Sequence, residues 1–556
     1  MARRIRWQIV VAAFSALLVL GLMGGLAISS TAVPSPLAGG TYVEAILGAP
    51  VQFNPLLNDP VTDPAGRDVS ALVFNGLTQI GVDGLPEPAL ATAWQIDPSG
   101  TVYTFNLRRD VTWHDGQAFS ADDVVFSLRS IQDSRFDGNP ALVNLWRDIL
   151  VDRIDDYTVR FMLRAPYAPF PSAVRVPILP AHLLSNITLD QWPNTSFASL
   201  PVGTGPYRFV ELNNQYARLE RNPSYFGGNP FIERIELRFI ASPEAAVATL
   251  SRGEVQALGS GTVQELPQIA LPPIIKRESA PLDEYVVLTF NLRQAPFDTP
   301  ALRQALTLGL DKDALIAQEQ LVDQVQRLDT PILTGWWAHN PEMPGPAFDP
   351  AAAAQTLTNL GYELDADGVR VRDGEALMLS LITDSDPRRI AAAQEVERQW
   401  QTLGVRIDIE QLDSPTLHQR LREHEFELAI HGWTRLGPDP DVFELWHSSQ
   451  AEDGLNYAGL RDNRLDSLLA SARMETELAA RNDNYREFQE RWIELAPSII
   501  LYQPLYTFLV DEQLGGFGFD QGDATGNALM IGREDRYRNV TRWFVNSAQE
   551  IRGNLR

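Results

Sequence analysis

The chain of 556 residues lacks cysteine altogether, and its lysines are limited to Lys276 and Lys312. The absence of cysteine excludes disulfides, thiolate zinc sites, iron–sulfur clusters and thiol catalysis. Positive charge is therefore almost all arginine, and 71 acidic residues against 46 basic ones give a net charge of −25. This balance lacks the basic footprint of a nucleic-acid-binding protein and indicates a solvated acidic surface.

The sequence also lacks a complete catalytic or metal-binding motif. Residues 203–206, Gly-Thr-Gly-Pro, lack the lysine of a phosphate-binding loop. Residues 424–425, His-Glu, are followed by His431, which does not match the spacing of a zinc-protease helix. The acidic turn at residues 365–368 lacks the later glutamate of a calcium loop. We therefore predict no metal, no cofactor and no enzymatic activity, with a hydrolase that uses a carboxylate pair as the weaker alternative.

What the sequence does contain begins at the amino-terminus. Three arginines, Arg3, Arg4 and Arg6, precede an uncharged apolar run over residues 9–28. A basic segment followed by an apolar one is typical of a secretory signal, and about 20 apolar residues also suffice to span a bilayer as a helix. Basic residues on the amino-terminal side place the remainder of the protein outside the cytoplasm in both cases.

Two outcomes of processing remain open for residues 1–30. A signal peptidase can cleave at the small residues near Ala32, or the segment can persist as a hydrophobic helix that anchors the protein in the cell membrane. The chain has no cysteine for a lipid anchor, and we therefore favour the retained helix. Residues 31–40, which contain two prolines and two glycines, are predicted to be a linker.

The rest of the chain alternates strand and helix patterns. Thr41–Leu47 has the β-branched and aromatic residues of a strand, and Ser120 with Asp123 forms a predicted capping box. A helical stripe is predicted at Ala393, Val396, Trp400 and Leu403, which recur at spacings of three and four. Gly404 is the predicted stop of this helix, and the alternation of Val405, Ile407 and Ile409 predicts the next strand. This alternation predicts α/β lobes, and the chain length predicts two or three of them.

Four blocks of residues occur in order along the chain. They are residues 76–124 with Trp113-His114-Asp115-Gly116, residues 201–225 with Gly203-Thr204-Gly205-Pro206-Tyr207, residues 290–311 with Arg303-Gln304-Ala305-Leu306, and residues 432–466 with Gly432-Trp433 and Asp439-Pro440-Asp441. Together they resemble, over roughly residues 41–545, the peptide-, dipeptide- and nickel-type (family 5) extracellular solute-binding proteins of ABC importers. One such block would be weak evidence, but four in order are specific.

The resemblance implies a periplasmic-binding-protein-like (Venus flytrap) α/β fold. Two lobes would be joined by crossing segments, and an extra lobe would be inserted into the first. By analogy, the chain would cross near residues 285–292 and return near residues 499–507. The implied division is 41–75, 200–288 and 501–545 for lobe I, 76–199 for the inserted lobe, 289–500 for lobe II, and 546–556 for a carboxyl-terminal tail.

The resemblance also implies two groups of ligand-binding residues, one on each side of a cleft between the lobes. Gly432 would let the backbone approach the ligand, and Trp433 would pack on it. The predicted residues are Gly432, Trp433, Thr434, Arg435, Leu436 and Asp439 on a second-lobe loop, and Gln52, Phe53 and Asn54 at the first-lobe edge.

One position of the second-lobe loop departs from the family. Dipeptide- and oligopeptide-binding members pair the α-ammonium of the ligand with an aspartate, and Leu436 stands at that position. A buried ammonium without its counter-charge costs on the order of several kcal/mol. Asp439 or Asp441 can substitute, Arg435 can instead meet an anionic group, or the loop can be shifted by one or two residues. The tryptophan pair at residues 336–337 can be either a ligand platform or lobe core.

These observations predict a monomeric extracytoplasmic protein, at the cell surface or in the periplasm. It would capture a peptide or peptide-like solute in the cleft and deliver it to the permease subunits of an ABC transporter. The alternative is a non-peptide solute, such as an oligosaccharide or a metal chelate, bound by a transporter component or a membrane-anchored sensor. The membrane is an expected partner only through the amino-terminal helix, and nucleic acid is not expected as a partner.

Overall fold

A computed structural model of the protein describes residues 32–58, 63–260, 271–343, 345–434, 436–519 and 529–551, together with Ser15. The predicted signal or anchor segment, apart from Ser15, lies outside these residues, as does Arg435. None of the helices within the described residues is long and apolar enough to cross a membrane.

Strands make up most of the architecture of the described residues. In chain order they are β1 Ala32–Leu37, β2 Thr41–Leu47, β3 Thr78–Ile80, β4 Pro86–Pro88, β5 Ala91–Ile96, β6 Val102–Leu107, β7 Leu150–Asp155, β8 Thr158–Met162, β9 Tyr207–Leu212, β10 Tyr216–Arg221, β11 Arg234–Ile240, β12 Ala257–Ser260, β13 Ile275–Pro281, β14 Glu284–Phe290, β15 Val325–Gln326, β16 Glu363–Leu364, β17 Arg370–Arg372, β18 Glu375–Ala376, β19 Met378–Thr383, β20 Arg406–Gln411, β21 Leu428–Thr434, β22 Ser498–Asp511 and β23 Asn546–Ile551.

Helices lie between these strands. They are α1 Pro64–Val73, α2 Ala121–Gln132, α3 Pro140–Trp146, α4 Phe170–Ala173, α5 Ala181–Leu184, α6 Pro243–Ser251, α7 Pro300–Leu308, α8 Lys312–Ile316, α9 Pro350–Asn359, α10 Pro387–Thr402, α11 Ser414–Arg422, α12 Phe443–Trp446, α13 Asn463–Met474 and α14 Leu478–Leu495. Short 3-10 helices cover Leu189–Asn194, Ser196–Ala198, Ser448–Gln450, Arg533–Tyr537 and Val540–Arg542.

Local sequence signals set the ends of several helices. The Ser120 side chain caps the start of α2 while Asp123 accepts a hydrogen bond from the Ser120 N–H at 2.9 Å, which confirms the predicted capping box. Helix α10 begins after Asp386, whose carboxylate accepts hydrogen bonds from N–H groups of its first turn. Gly404 follows the end of α10 with a φ of 85°, as the predicted stop requires. The predicted stripe through Trp400 is buried.

One twelve-stranded sheet extends through both halves of the protein. Its order is β20-β19-β21-β14-β22-β12-β2-β11-β10-β9, and β13 and β15 are also paired to β22. The first part of β22, residues 498–502, pairs antiparallel with β14, and its last part, residues 505–511, pairs antiparallel with β13. We call the half of the protein that contains β2 and β9–β13 the first lobe, and the half that contains β14 and β19–β21 the second lobe.

The chain crosses between these lobes at two adjacent places. The first crossing is at Leu282 and Asp283, between β13 and β14, a few residues before the predicted crossing at 285–292. Residues 285–290 instead lie inside the sheet of the second lobe, because their apolar pattern marks the interior of a strand and the crossing falls just before it. The second crossing is at residues 503–504 of β22, within the predicted return.

A buried glutamine links the two crossings. Gln503 donates from Nε2 to the Leu282 carbonyl at 2.9 Å and to the Thr334 carbonyl at 3.2 Å. Its Oε1 accepts from the Thr334 N–H at 3.1 Å and from Gln326 Nε2 at 3.0 Å. Both donors and both lone pairs of the amide are therefore used at the point where β22 changes its neighbour from β14 to β13.

The region between α1 and β9 forms a sheet of its own, in the order β5-β6-β8-β7, and β3 pairs with β4. Large aromatic side chains fill the core around this sheet, and they include Trp113, Trp146, Phe161, Phe170 and Trp192. This core is continuous with that of the first lobe, so the inserted region packs as an extension of it. The residue boundaries given above for the lobes stay predictions.

The segment predicted to be a linker contains a strand instead. β1 pairs antiparallel with β23, which lies in the predicted carboxyl-terminal tail. The prolines of β1, Pro34 and Pro36, are two residues apart, so their missing N–H groups face the same edge and leave the other edge free to pair. Local composition predicted a loop because the partner strand lies at the other end of the chain.

The carboxyl-terminal segment is held to the first lobe by a buried charge cluster. Arg536, whose side chain is fully buried, donates from Nε to Glu44 Oε1 at 2.8 Å and from Nη1 to Asp68 Oδ1 at 2.7 Å. Glu44 also accepts hydrogen bonds from the hydroxyls of Tyr42 and Tyr537, each at 2.8 Å. Burial raises the pKa of Glu44, and the charge of Arg536 opposes that rise.

We expect Arg536→Leu to lower the free energy of unfolding by about 3–5 kcal/mol, because it leaves the Glu44 and Asp68 carboxylates buried without their counter-charge. Urea unfolding at neutral pH, followed by tryptophan fluorescence, measures the change. Arg129→Leu, at an exposed position of α2, is the control and should alter stability by less than about 0.5 kcal/mol. A loss below about 1 kcal/mol for Arg536→Leu would contradict the role of the cluster.

Candidate functional site

The predicted second-lobe residues lie at the end of β21, beside the first crossing. The antiparallel register with β14 sets Thr434 opposite Glu284, the first residue of the strand after the crossing. Trp433 and Gly432 lie opposite the next two residues of β14. These residues therefore stand at the boundary between the lobes, where the resemblance placed the cleft.

Trp433 is half-buried and belongs to an aromatic group. Its ring stacks on that of Tyr457, with 5.0 Å between centroids and 22° between planes. The His431 ring meets both rings edge-on, at 5.3 Å from Trp433 and 5.7 Å from Tyr457. One face of Trp433 is thus fixed by packing, and the part of the side chain that stays accessible can contact a ligand.

His431 is buried next to this stack, and its Nε2 lies 3.0 Å from the Thr289 hydroxyl. Burial lowers the pKa of His431 to about 3, and the positive charge of Arg389 adds to the effect. The imidazole is therefore neutral at physiological pH. It supports the aromatic pair and does not supply a charge.

Gly432 faces an arginine rather than open space. A Cβ at this position would come within 2.8 Å of Arg389 Nη1, so the absent side chain lets the guanidinium lie against the strand. Arg389 is held there by Asp384, to which it donates from Nε at 2.8 Å and from Nη2 at 2.7 Å. The sequence predicted approach of a ligand to Gly432, and this role stays a prediction.

Arg388 and Arg389 were missed by the sequence analysis. Both lie in the first turn of α10, which follows the end of β19 beside β21. Arg388 donates to Asp386 at 3.1 Å. Burial raises the pKa of Glu284, and the charges of Arg388 and Arg389 oppose that rise. The signal available in the sequence is the helix start Asp386-Pro387, because it places the two following arginines at the carboxyl-terminal edge of the sheet.

The rest of the second-lobe loop is divided between exposed and packed positions. Thr434 is exposed at the end of β21, and Arg435 lies outside the described residues. Leu436 is half-buried and packs against an apolar cluster that contains Tyr285 and Trp336. An apolar contact thus surrounds Leu436, and its correspondence to the aspartate of dipeptide-binding members stays a prediction.

The loop is tied to the crossing through Gly437. Its N–H donates to Asp283 Oδ2 at 2.8 Å, and its carbonyl accepts from the Trp336 indole at 2.9 Å. The N–H of Asp283 donates to the Met530 carbonyl at 2.9 Å. Burial raises the pKa of Asp283 well above its usual value, and the Gly437 N–H opposes that rise. Trp336 is buried, so of the two alternatives for this residue the structure favours lobe core.

Asp439 and Asp441 are both engaged by arginines. Arg481 donates to the buried Asp439 carboxylate from Nη2 at 2.7 Å and from Nη1 at 3.0 Å. Arg473 Nε donates to Asp441 at 2.8 Å, and the Arg473 carbonyl accepts from the N–H of Ala168 in the inserted region at 2.8 Å. Binding of a ligand ammonium by Asp439 stays a prediction, but both of its oxygens already have partners.

The predicted first-lobe residues form the inside of a loop. Phe53 is buried with its ring centroid 4.7 Å from that of Phe209, and Asn54 is buried with its Oδ1 accepting from the Leu56 N–H at 3.1 Å. Gln52 is half-buried. Within the described ranges, no hydrogen bond or ring contact joins this group to the residues of the second-lobe loop. Their role in binding stays a prediction.

The described part of the chain contains no cluster of three or more His, Asp or Glu side chains arranged to hold a metal ion. The arrangement at the end of β21 offers an aromatic surface, paired arginines and carboxylates, and a boundary between two lobes. Such a surface suits the binding of a solute with polar and apolar parts.

Comparison with known proteins places these features in a family. The family of bacterial extracellular solute-binding proteins, family 5 (middle region), matches residues 86–454. The match covers more than half of the chain, and the protein therefore belongs to this family of solute-binding proteins. Members of the family are extracytoplasmic, and the predicted family is confirmed.

Individual relatives match over nearly the whole chain. The oligopeptide-binding protein AppA of Bacillus subtilis is 25% identical over 525 residues, which is 92% of this chain and 92% of AppA. The dipeptide-binding protein of Escherichia coli is 26% identical over 531 residues, which is 89% of this chain and 95% of that protein. The structure of NikZ from Campylobacter jejuni in complex with Ni(L-His) is similar with a TM-score of 0.65 and 27% identity, covering 91% of this chain and 99% of NikZ.

The fold is therefore the α/β Venus flytrap of periplasmic binding proteins, with two lobes and an extra inserted lobe. The predicted fold class is confirmed. The hydrophobic helix expected to precede it lies outside the described residues.

We expect His431 to make folding depend on pH below neutrality. Its folded pKa is about 3, whereas that of an unfolded histidine is about 6.5. As the pH falls below about 6.5, the unfolded chain takes up a proton that the folded protein excludes. This residue should therefore lower the free energy of unfolding by up to ~1.4 kcal/mol per pH unit between about pH 6.5 and pH 3, with no effect above about pH 7.

The variant His431→Gln tests this expectation, since Gln keeps a polar group near Thr289 but does not titrate. Urea unfolding of both proteins at several pH values between about 7.5 and 4.5 gives the free energy of unfolding as a function of pH. Its slope against pH should be smaller for the variant, by the contribution of one proton. Equal slopes would show that His431 is not held neutral in the folded protein.

Proposed function

We propose that this protein captures a peptide or peptide-like solute between its two lobes and delivers it to the permease of an ABC transporter. The observation that carries the proposal is the position of the Trp433–Tyr457 stack. Trp433, stacked on the buried ring of Tyr457, keeps part of its side chain accessible at the end of β21, next to the first crossing between the lobes. A solute seated there can contact both lobes at once, which is the condition for closing them around it.

Two adjacent crossings support such closure. The lobes are joined by the short segment at Leu282–Asp283 and by residues 503–504 of β22. Two neighbouring connections allow rotation about one axis while they keep the lobes in register. Binding of a solute would shift the population towards the closed form, which a permease can distinguish from the open one.

Relatives favour a peptide as the solute. AppA is an oligopeptide-binding protein and the Escherichia coli relative is a dipeptide-binding protein, and each is similar to this chain over most of its length. Both relatives are binding proteins, and we propose that this protein likewise binds its solute without converting it and is not an enzyme. We also propose that it acts as a monomer, exported by residues 1–30 and held at the cell membrane if that segment is retained.

A non-peptide solute is the second candidate, and a specific observation favours it. Leu436, which the resemblance aligns with the aspartate that binds the ligand ammonium in dipeptide-binding members, packs against apolar side chains. Asp439 and Asp441 are paired with Arg481 and Arg473 and do not replace it without losing those partners. NikZ, in complex with Ni(L-His), is a related structure with a different solute.

We expect Trp433→Ala to weaken ligand binding by at least about tenfold, because it removes the aromatic surface at the cleft. The ligand is first identified by native mass spectrometry of protein purified without refolding. Its synthetic form is then titrated calorimetrically against both proteins. Trp94→Ala is the matched control, since Trp94 is also half-buried and stacked, on Phe105 at 5.7 Å, but lies in the sheet of the inserted region.

If Trp433→Ala binds the ligand with unchanged affinity, the binding site does not lie at the end of β21. A co-purified oligosaccharide or metal chelate in place of a peptide would establish the second candidate. Sustained turnover of the bound molecule by the purified protein would overturn the proposal that it is not an enzyme.

A further inference from the structure

The inserted region touches the second lobe directly, in addition to the two crossings of the chain. The core of the inserted region is continuous with that of the first lobe, so the two pack as one body. A contact between the inserted region and the second lobe is therefore a contact between the lobes. The described residues show such contacts around Tyr167 and around Gly84.

The contact around Tyr167 joins the segment before α4 to the end of α13. The N–H of Ala168 donates to the Arg473 carbonyl at 2.8 Å. The Arg473 guanidinium lies 4.1 Å from the centroid of the Phe443 ring and 5.8 Å from that of the Tyr167 ring. Phe443 belongs to the second lobe and Tyr167 to the inserted region, so one cation meets an aromatic ring from each side of the boundary.

Both sides of this contact are held in place by their own lobes. In the second lobe, Arg473 donates from Nε to Asp441 at 2.8 Å and from Nη1 to Glu444 at 3.1 Å. In the inserted region, the Tyr167 carbonyl accepts from the hydroxyl of the buried Tyr103 at 2.9 Å. Groups that are already ordered lose little conformational entropy when they meet. The contact is therefore preorganised on both sides.

The contact around Gly84 lies in the turn between β3 and β4. Gly84 is buried and has a φ of 77°, a left-handed conformation that favours glycine. A Cβ at this position would come within 2.9 Å of the Gly335 carbonyl and 3.3 Å of the Trp337 nitrogen. The turn thus lies directly against residues 335–337 of the second lobe, and separation of the inserted region from that lobe would break both contacts.

The loop after β21 links the contact around Tyr167 to the candidate ligand site. Trp433 lies at the end of β21, and Asp441, which binds Arg473, lies further along the same loop. Between them, the N–H of Gly437 donates to Asp283 at the first crossing. A solute on Trp433 and the contact at Arg473 both act on this one loop, so each can favour the arrangement of the loop that the other needs.

We propose that Tyr167 and Ala168 form a latch on Arg473, which holds the lobes together and sets the fraction of closed protein before a solute enters. The inference rests on the proposed function in that the lobes rotate about the crossings, and the structure with the latch made is the closed arrangement. Tyr167 is then a positioning residue, because it acts on solute binding through the closed population. Weakening the latch lowers the apparent affinity for any solute that needs the closed form.

The test measures the distance between the lobes in the full-length protein without any solute. The chain has no cysteine, so two introduced cysteines are the only sites for spin labels. Arg129→Cys lies on α2 of the inserted region and Ser467→Cys on α13 of the second lobe, and both positions are exposed. Double electron–electron resonance then gives the populations of closed and separated lobes.

Tyr167→Ala should raise the ratio of separated to closed protein by about threefold or more, because it removes a ring from the Arg473 guanidinium. Tyr167→Phe keeps the ring and should leave the ratio unchanged. Arg473→Lys keeps a charge for Asp441 but loses the planar guanidinium, and it should also raise the ratio. Both changes break one contact, so the double variant should raise the ratio by less than the product of the two single effects.

Tyr157→Ala is the matched control. Tyr157 is half-buried like Tyr167 and lies under a guanidinium, that of Arg109 at 5.0 Å, but both partners belong to the inserted region. This variant should keep the wild-type ratio. Circular dichroism checks the folding of each variant, and Arg473→Lys decides the role of the contact if Tyr167→Ala does not fold.

A wild-type ratio in both Tyr167→Ala and Arg473→Lys would overturn the latch. Single effects that multiply in the double variant would also overturn it, because the two residues would then act independently. The outcome separates from that of the proposed function, since no solute is used. Peptide binding through Trp433 with unchanged lobe populations would remove the latch alone, whereas a responsive lobe ratio in a protein that binds no peptide would remove the peptide assignment alone.

Discussion

The two lobes depend on the buried amide of Gln503. At the crossing, β22 leaves one neighbouring strand and joins another, while its residues 503–504 pair with β15. The amide supplies four hydrogen bonds at that point, two of them to the Leu282 and Thr334 carbonyls. A buried polar group left unsatisfied is costly, so this arrangement favours one geometry of the crossing. The long strand and the hydrogen-bonded amide thus keep the lobes in one register while they allow rotation.

Arginine–carboxylate pairs lie on both sides of that crossing. In the second lobe, Arg389 is paired with Asp384, and Arg481 with Asp439. In the first lobe, Arg536 pairs with the buried carboxylates of Glu44 and Asp68.

Local patterns predicted the elements better than the site. The capping box at Ser120 and the helical stripe through Trp400 depend only on neighbouring residues, and both are found as predicted. Family resemblance supplied the two-lobe fold. Contacts between distant segments were not predictable, because nothing near Gly432 in sequence shows that Arg389 lies against it.

The ribbon of β1 and β23 fixes where the predicted amino-terminal segment would leave the protein. Six residue pairs join Ala32–Leu37 to Asn546–Ile551, a length of roughly 20 Å at about 3.3 Å per residue. Prolines restrict this segment on their own, and pairing with β23 restricts it further. If residues 1–30 are retained at the bilayer as predicted, this ribbon would stand between the membrane and the two lobes.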